Sequence, residues 1–189
     1  MFLTAKGLKS LLFVSLTILG PLEFVLGFNQ DTDWEGAKSL YDFHATDLDG
    51  NEISLEKYRG QILVLFNAAT RSCPVSAKSF KMLRALQDTY GNQGVQVVTF
   101  IIDGLMKESG TSEDIKEYIK SLEWPADVFA KIKSDGDEAH PIYKWIAAQL
   151  QDKIQQSVKI LIDREGKVVA KYPPTGPLTE LESAIQQYL

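Results

Sequence analysis

The hydrophobic pattern changes period several times along the chain, and each change marks an element. Tyr41, Phe43 and Ala45 alternate with Asp42, His44 and Thr46, the period of two expected of a half-buried strand. Asp49-Gly50 predicts a hairpin turn, with the chain returning over Asn51–Ile53. Ser54 is placed to cap a short helical turn through Tyr58, ended by Gly60. Ile62–Phe66 is a continuous apolar run, as in a strand covered on both faces. Phe80, Leu83, Leu86 and Tyr90 then recur at helical spacing, and Gly91 closes that helix. Val95–Ile102 predicts a second buried strand. Ser112 with Glu113-Asp114 starts a helix to about Lys120, its acidic residues at the positive end of the dipole. Pro141 opens another helix carrying Tyr143, Trp145 and Ile146. Val158–Ile162 predicts a third buried strand, Asp163–Gly166 a turn, and Lys167–Lys171 a strand pairing back antiparallel. Pro177 starts a terminal helix with Leu178, Leu181 and Ile185 on one face.

The order is therefore hairpin, β, α, β, α, α, β, β, α. It predicts an α/β fold of three layers, α/β/α, with a mixed central sheet and an N-terminal β-hairpin. That order resembles the thioredoxin-like arrangement. Cys73, the single cysteine, falls at the carboxyl end of the first central strand, where open α/β sheets place their sites. Pro74 suits a first helical position. A thiol at a helix start meets unpaired backbone N–H groups and the positive end of the dipole, which favour the reactive thiolate. Cys73 is thus the candidate catalytic residue, set against the plainer reading of a small buried thiol.

At 189 residues with 44% hydrophobic content, the chain can build one well-buried core, placed at residues 39–189. A formal net charge of −5 and no Lys/Arg cluster argue against nucleic acid as a partner. His44 and His140 lie far apart beside one cysteine, so neither a metal site nor a resident cofactor is expected. Residues 1–27 read as a signal peptide: Lys6 and Lys9, the apolar run Leu11–Leu19, the Gly20-Pro21 break, and a cut near Gly27–Phe28. Glu23 falls inside any window of the about 20 apolar residues a membrane span needs, which favours cleavage over a retained anchor and leaves no stable membrane insertion. Residues 28–38 read as a linker. The chain stops at Gln187-Tyr188-Leu189 without a retention tail, so a secreted or secretory-lumen location is expected. One cysteine there cannot form an internal disulfide; it is a buried thiol, an intermolecular linker or a reactive group.

Several segments resemble the glutathione peroxidase family. They are Tyr41-Asp42-Phe43, the Asp49-Gly50 turn, Ser54 to Gly60, the strand through Asn67-Ala68-Ala69, Ala139 to Lys144, and Lys159 to Val169. The resemblance spans about residues 39–189. The absence of a proline in Gln155-Gln156-Ser157-Val158 separates the chain from thioredoxins, which carry one before the third central strand. The resemblance implies a thiol peroxidase that reduces hydrogen peroxide or organic hydroperoxides, with glutathione or a disulfide-exchange protein as reductant. Cys73 would attack the peroxide as thiolate and pass through a sulfenic acid.

The family's catalytic cysteine or selenocysteine is assisted by a Gln, a Trp and an Asn. In the ungapped register Ser72 takes the redox position, and a one-residue shift brings Cys73 there. The Gln position falls at Asp103-Gly104 and the Trp-Asn pair on Gln155-Gln156, so the chain resembles a divergent member with an altered tetrad. A Gln155 or Gln156 amide could donate to a thiolate, whereas a carboxylate at Asp103 would oppose one. Thr70-Arg71-Ser72-Cys73-Pro74 resembles the Thr-x-x-Cys-Pro of peroxiredoxins, and Cys73-Pro74-Val75-Ser76 a CxxC lacking its second cysteine. Two alternatives therefore stand beside the peroxidase: a non-enzymatic binding module on the same fold, and a monothiol disulfide-exchange protein. His140 is expected to start a helix rather than act as a base. Trp124 and Trp145 are expected to pack, and Ser72 has no supporting base for hydrolytic chemistry.

Overall fold

A computed structural model describes residues 33–69, 74–103 and 110–189. The first central strand, β3 (Ile62–Ala68), is buried at every position. Its alternate side chains feed two separate cores, Leu63 and Leu65 on one face and Val64, Phe66 and Ala68 on the other. β3 pairs in parallel with β4 (Val95–Ile102), which pairs in parallel with β5 (Asp127–Ile132). On its other side β3 pairs antiparallel with β6 (Lys159–Ile162), and β6 with β7 (Val168–Tyr172). The sheet order is β5-β4-β3-β6-β7. The N-terminal hairpin, β1 (His44–Thr46) and β2 (Glu52–Ser54), forms its own two-stranded sheet.

Helices cover both faces. α3 (Pro141–Leu150) shares one core with Leu40, Phe43 and Leu55. α1 (Pro74–Tyr90), α2 (Ser112–Ser121) and α4 (Leu178–Ile185) bury Phe80, Leu83, Ile115, Leu181 and Ile185 in the other. The three-layer α/β/α architecture with its mixed sheet and leading hairpin is the one the pattern predicted.

Several local expectations change. Tyr41–Thr46 was expected to be a strand throughout, but Leu40–Asp42 forms a 3-10 turn before β1. The Asp42 carboxylate accepts from the Ser39 and Lys38 N–H groups, which closes the turn while keeping Tyr41 and Phe43 inward. α1 ends at Tyr90, before Gly91 as expected, but a further 3-10 turn, Gly91–Gln93, follows and stops at Gly94, where φ is 86°. The cap of α2 is Thr111 rather than Ser112; its hydroxyl accepts from the Asp114 N–H, and the Asp114 carboxylate accepts from the Thr111 N–H. β5 was absent from the predicted order. It lies at the sheet edge with only Phe129 fully buried, so its pattern is too weak to announce a strand. Trp34 and Ala37, within the stretch read as linker, pack against the α3-side core. The proposed signal segment 1–27 lies outside the described residues.

Candidate active site

The carboxyl end of β3 is built around Asn67, which is fully buried and uses its main chain and side chain together. Its Oδ1 accepts a hydrogen bond from the Tyr143 hydroxyl at 2.5 Å, and its Nδ2 donates to the Gln155 carbonyl at 3.2 Å. Its N–H donates to the Val158 carbonyl and its carbonyl accepts from the Ser157 N–H. One strand residue thus holds the segment 155–158 at three points. α3 contributes Tyr143 because Pro141 and the His140 cap start that helix in register for residue 143 to face β3 and β4. Burial pushes the Tyr143 phenol far above its usual pKa, so it acts as a neutral donor.

A second chain of bonds runs beside the first. Ser76, in the first turn of α1, is fully buried and accepts from the Ala69 N–H at 3.2 Å. Its hydroxyl meets that of Ser157 at 2.9 Å. Ser157 has φ 61°, a left-handed backbone that a non-glycine residue adopts only where surrounding contacts enforce it. Between these bonds the two glutamines part company. Gln155 is exposed, whereas the Nε2 of half-buried Gln156 is itself buried with no hydrogen-bond partner among the described residues. Asp103, where the family's Gln was expected to fall, follows the carboxyl end of β4 and donates its N–H to the Ile132 carbonyl.

Cys73 itself, with Thr70, Arg71 and Ser72, lies outside the described residues, as does Gly104. The chain leads from Ala69, held by Ser76, through residues 70–72 to Cys73 and then Pro74, where α1 begins.

A cavity of about 250 Å³ opens beside this helix start, lined by Pro74, Val75, Lys78, Met82, Pro174 and Gly176. Beneath its rim Lys159 is buried, donates from Nζ to the Pro174 carbonyl at 2.8 Å, and lies 5.9 Å from the centre of the Phe66 ring. Burial lowers the Lys159 pKa.

His140 caps α3: its Nδ1 accepts from the Ile142 N–H at 3.3 Å, and burial lowers its pKa to about 4. Trp145 packs 5.6 Å from Phe43 and donates to the Ala37 carbonyl, while Trp124 packs edge-on against Phe80. These three residues are structural, as expected. The tie from Tyr143 through Asn67 to Gln155 was not anticipated; the apolar, helical spacing around Tyr143 gave no sign that its hydroxyl reaches a strand. No group of three potential metal ligands occurs among the described residues. No described helix is long and apolar enough to cross a membrane.

The glutathione peroxidase family model matches residues 40–147. The phospholipid hydroperoxide glutathione peroxidase of Callithrix jacchus is 33% identical over 156 residues, covering 78% of this chain and 77% of the relative. Among solved structures, T. cruzi GPX1 superposes with a TM-score of 0.64 at 22% identity, covering 80% of this chain and 96% of that one. A thiol:disulfide interchange protein of Chlorobium tepidum superposes at 0.59 with 17% identity, covering 77% and 92%. At these identities the two superpositions speak for the fold alone.

Proposed function

The chain belongs to the glutathione peroxidase family, and from that premise we infer that it is a thiol peroxidase reducing hydrogen peroxide or organic hydroperoxides. The observation that carries this reading is the family match over the strand, helix and loop set that leads into and out of Cys73. Cys73 is the attacking thiol. Its sulfur bonds the near peroxide oxygen as the O–O bond breaks, giving a sulfenic acid and water or alcohol. A first external thiol condenses with the sulfenic acid, releasing water and forming a mixed disulfide. A second thiol attacks that disulfide, frees Cys73 and leaves as the oxidised reductant. The reductant is external because the sequence holds one cysteine. Glutathione and a protein thiol both meet that need. The apolar run and charged flank of residues 1–27 support delivery to the secretory pathway, with action in its lumen or outside the cell.

The test is direct. The purified protein is exposed to hydrogen peroxide with a sulfenic-acid trap, and Cys73 is read by mass spectrometry. The expected adduct is absent from Cys73→Ser. An unmodified Cys73, under conditions that oxidise a control peroxidase, overturns the assignment.

A further inference from the structure

Lys159 is the one charged side chain among the buried described residues. It opens β6 in a run that continues Ile160-Leu161-Ile162, opposite Phe66 of β3 and Tyr172 of β7, where a hydrocarbon side chain would fit. Lysine is almost never buried unless an opposite charge meets it. Among the described residues this ammonium meets the Pro174 carbonyl, at 2.8 Å, and the face of the Phe66 ring, and no carboxylate pairs with it. One of its three N–H donors thus has an acceptor there. Burial lowers its pKa, the mark of a charge that its surroundings leave short of stabilisation.

The neutral acceptor belongs to a cavity wall. Pro174 lines the space of about 250 Å³ beside the start of α1, together with Val75, Met82 and Gly176. A smaller gap lined by Lys159, Tyr172 and Leu178 shares Met82 and Gly176 with it, so the ammonium lies one peptide and one flexible side chain away from the larger space. We propose that this cavity binds a small carboxylic acid as its anion, the apolar body resting against Val75, Met82 and Pro174 and the carboxylate taking the Lys159 ammonium from the Pro174 carbonyl. The exchange replaces a neutral acceptor by a charged one, which makes a stronger hydrogen bond and neutralises the buried charge. The lining is mainly apolar and one buried ammonium supplies one charge, which suits a monoanion with a hydrocarbon body better than a phosphate. Usual ligand pockets hold about 300–1,000 Å³, so the acid is small. Lys78, exposed on the same wall, adds positive potential that draws an anion in. The site is independent of the peroxidase reading, and its test reads binding alone.

Hexanoate and 1-hexanol are the probes, alike in hydrocarbon and different in charge. Each is titrated into the purified protein while the amide resonances of Val75, Thr175 and Gly176 are followed by NMR. Hexanoate is expected to shift all three and to bind at least about tenfold more tightly than 1-hexanol, as a hydrogen bond to a charged group allows. Lys159→Met keeps the length and removes the charge; it brings the two affinities within about twofold of each other. Lys159→Gln serves the same purpose should the first variant fold poorly. Lys78→Met keeps the preference for hexanoate, because the buried ammonium supplies it. Val75→Phe fills the cavity, leaves Lys159 in place and weakens both probes. No shift at Thr175 and Gly176 with about 10 mM hexanoate overturns the proposal. Equal affinity of the two probes for the wild type also overturns it, as does a preference that survives the loss of Lys159 or disappears with Lys78. Inorganic phosphate that displaces hexanoate at equal concentration refutes the apolar part of the assignment, and binding unaffected by Val75→Phe refutes its place.

Discussion

Replacing Tyr143 with Phe deletes one oxygen atom from the middle of the protein and nothing else. The ring is fully buried and keeps its edge-to-face contact with Phe100, whose centroid lies 5.9 Å away. No methylene is lost, so no cavity of consequence opens. What remains is the Oδ1 of Asn67, a fully buried acceptor whose partner among the described residues was that hydroxyl. Stranding a buried neutral acceptor costs about 1–3 kcal/mol, because its hydration is not recovered. For a domain of this size each kcal/mol moves the melting midpoint by about 2–4 °C, so a loss of about 2 kcal/mol lowers it by about 4–8 °C. Urea denaturation of wild type, Tyr143→Phe, Asn67→Leu and the double variant measures the coupling. The pair shares one hydrogen bond, so the double variant loses less than the sum of the singles. A Tyr143→Phe loss below about 0.5 kcal/mol, or strict additivity in the cycle, refutes the linkage between α3 and the end of β3.

Two further outcomes follow from acid titration. Burial holds the His140 imidazole at about 4 rather than its ordinary value of 6.5. The unfolded chain therefore takes up the proton first, and this contribution to stability, complete above pH 6.5, is lost as the pH falls towards 4. It amounts to roughly 3 kcal/mol at most, and His140→Asn, which can still cap α3, flattens that part of the stability-against-pH curve. At Asp127 burial opposes ionisation, but hydrogen bonds from Lys57 and Tyr58 outweigh it and hold the carboxyl below its usual value. Its contribution is present above about pH 4 and fades as the pH falls further. The Lys57–Asp127 pair is substantially exposed, so Asp127→Asn costs no more than about 1 kcal/mol at pH 7 and weakens the pH dependence of urea denaturation below pH 4.

The legible parts of the chain share a physical cause: their signals are local. β3 and β4 announce themselves because every residue of Ile62–Phe66 and nearly every residue of Val95–Ile102 is apolar, as double burial demands. α3 is readable from Pro141 because the cap and the fixed φ act within one turn. β5 escaped because an edge strand keeps Asp127 and Lys131 at the surface, and its stabilising contact, Phe129 stacked 4.9 Å from Phe100, is made with another strand. The site surroundings are the extreme of this. Tyr143 meets Asn67 across 76 positions, Ser157 meets Ser76 across 81, and Gln155 meets Asn67 across 88. Residue spacing carries no trace of such pairs. Comparing residue types with the family pattern set two glutamines, Gln155 and Gln156, against its Trp-Asn pair, and could not tell the two apart. Packing separates them: Asn67 holds the Gln155 carbonyl while the Gln155 side chain is exposed, and the Gln156 amide nitrogen is buried. Two side chains of one chemical type thus meet different surroundings, set by bonds that distant residues make.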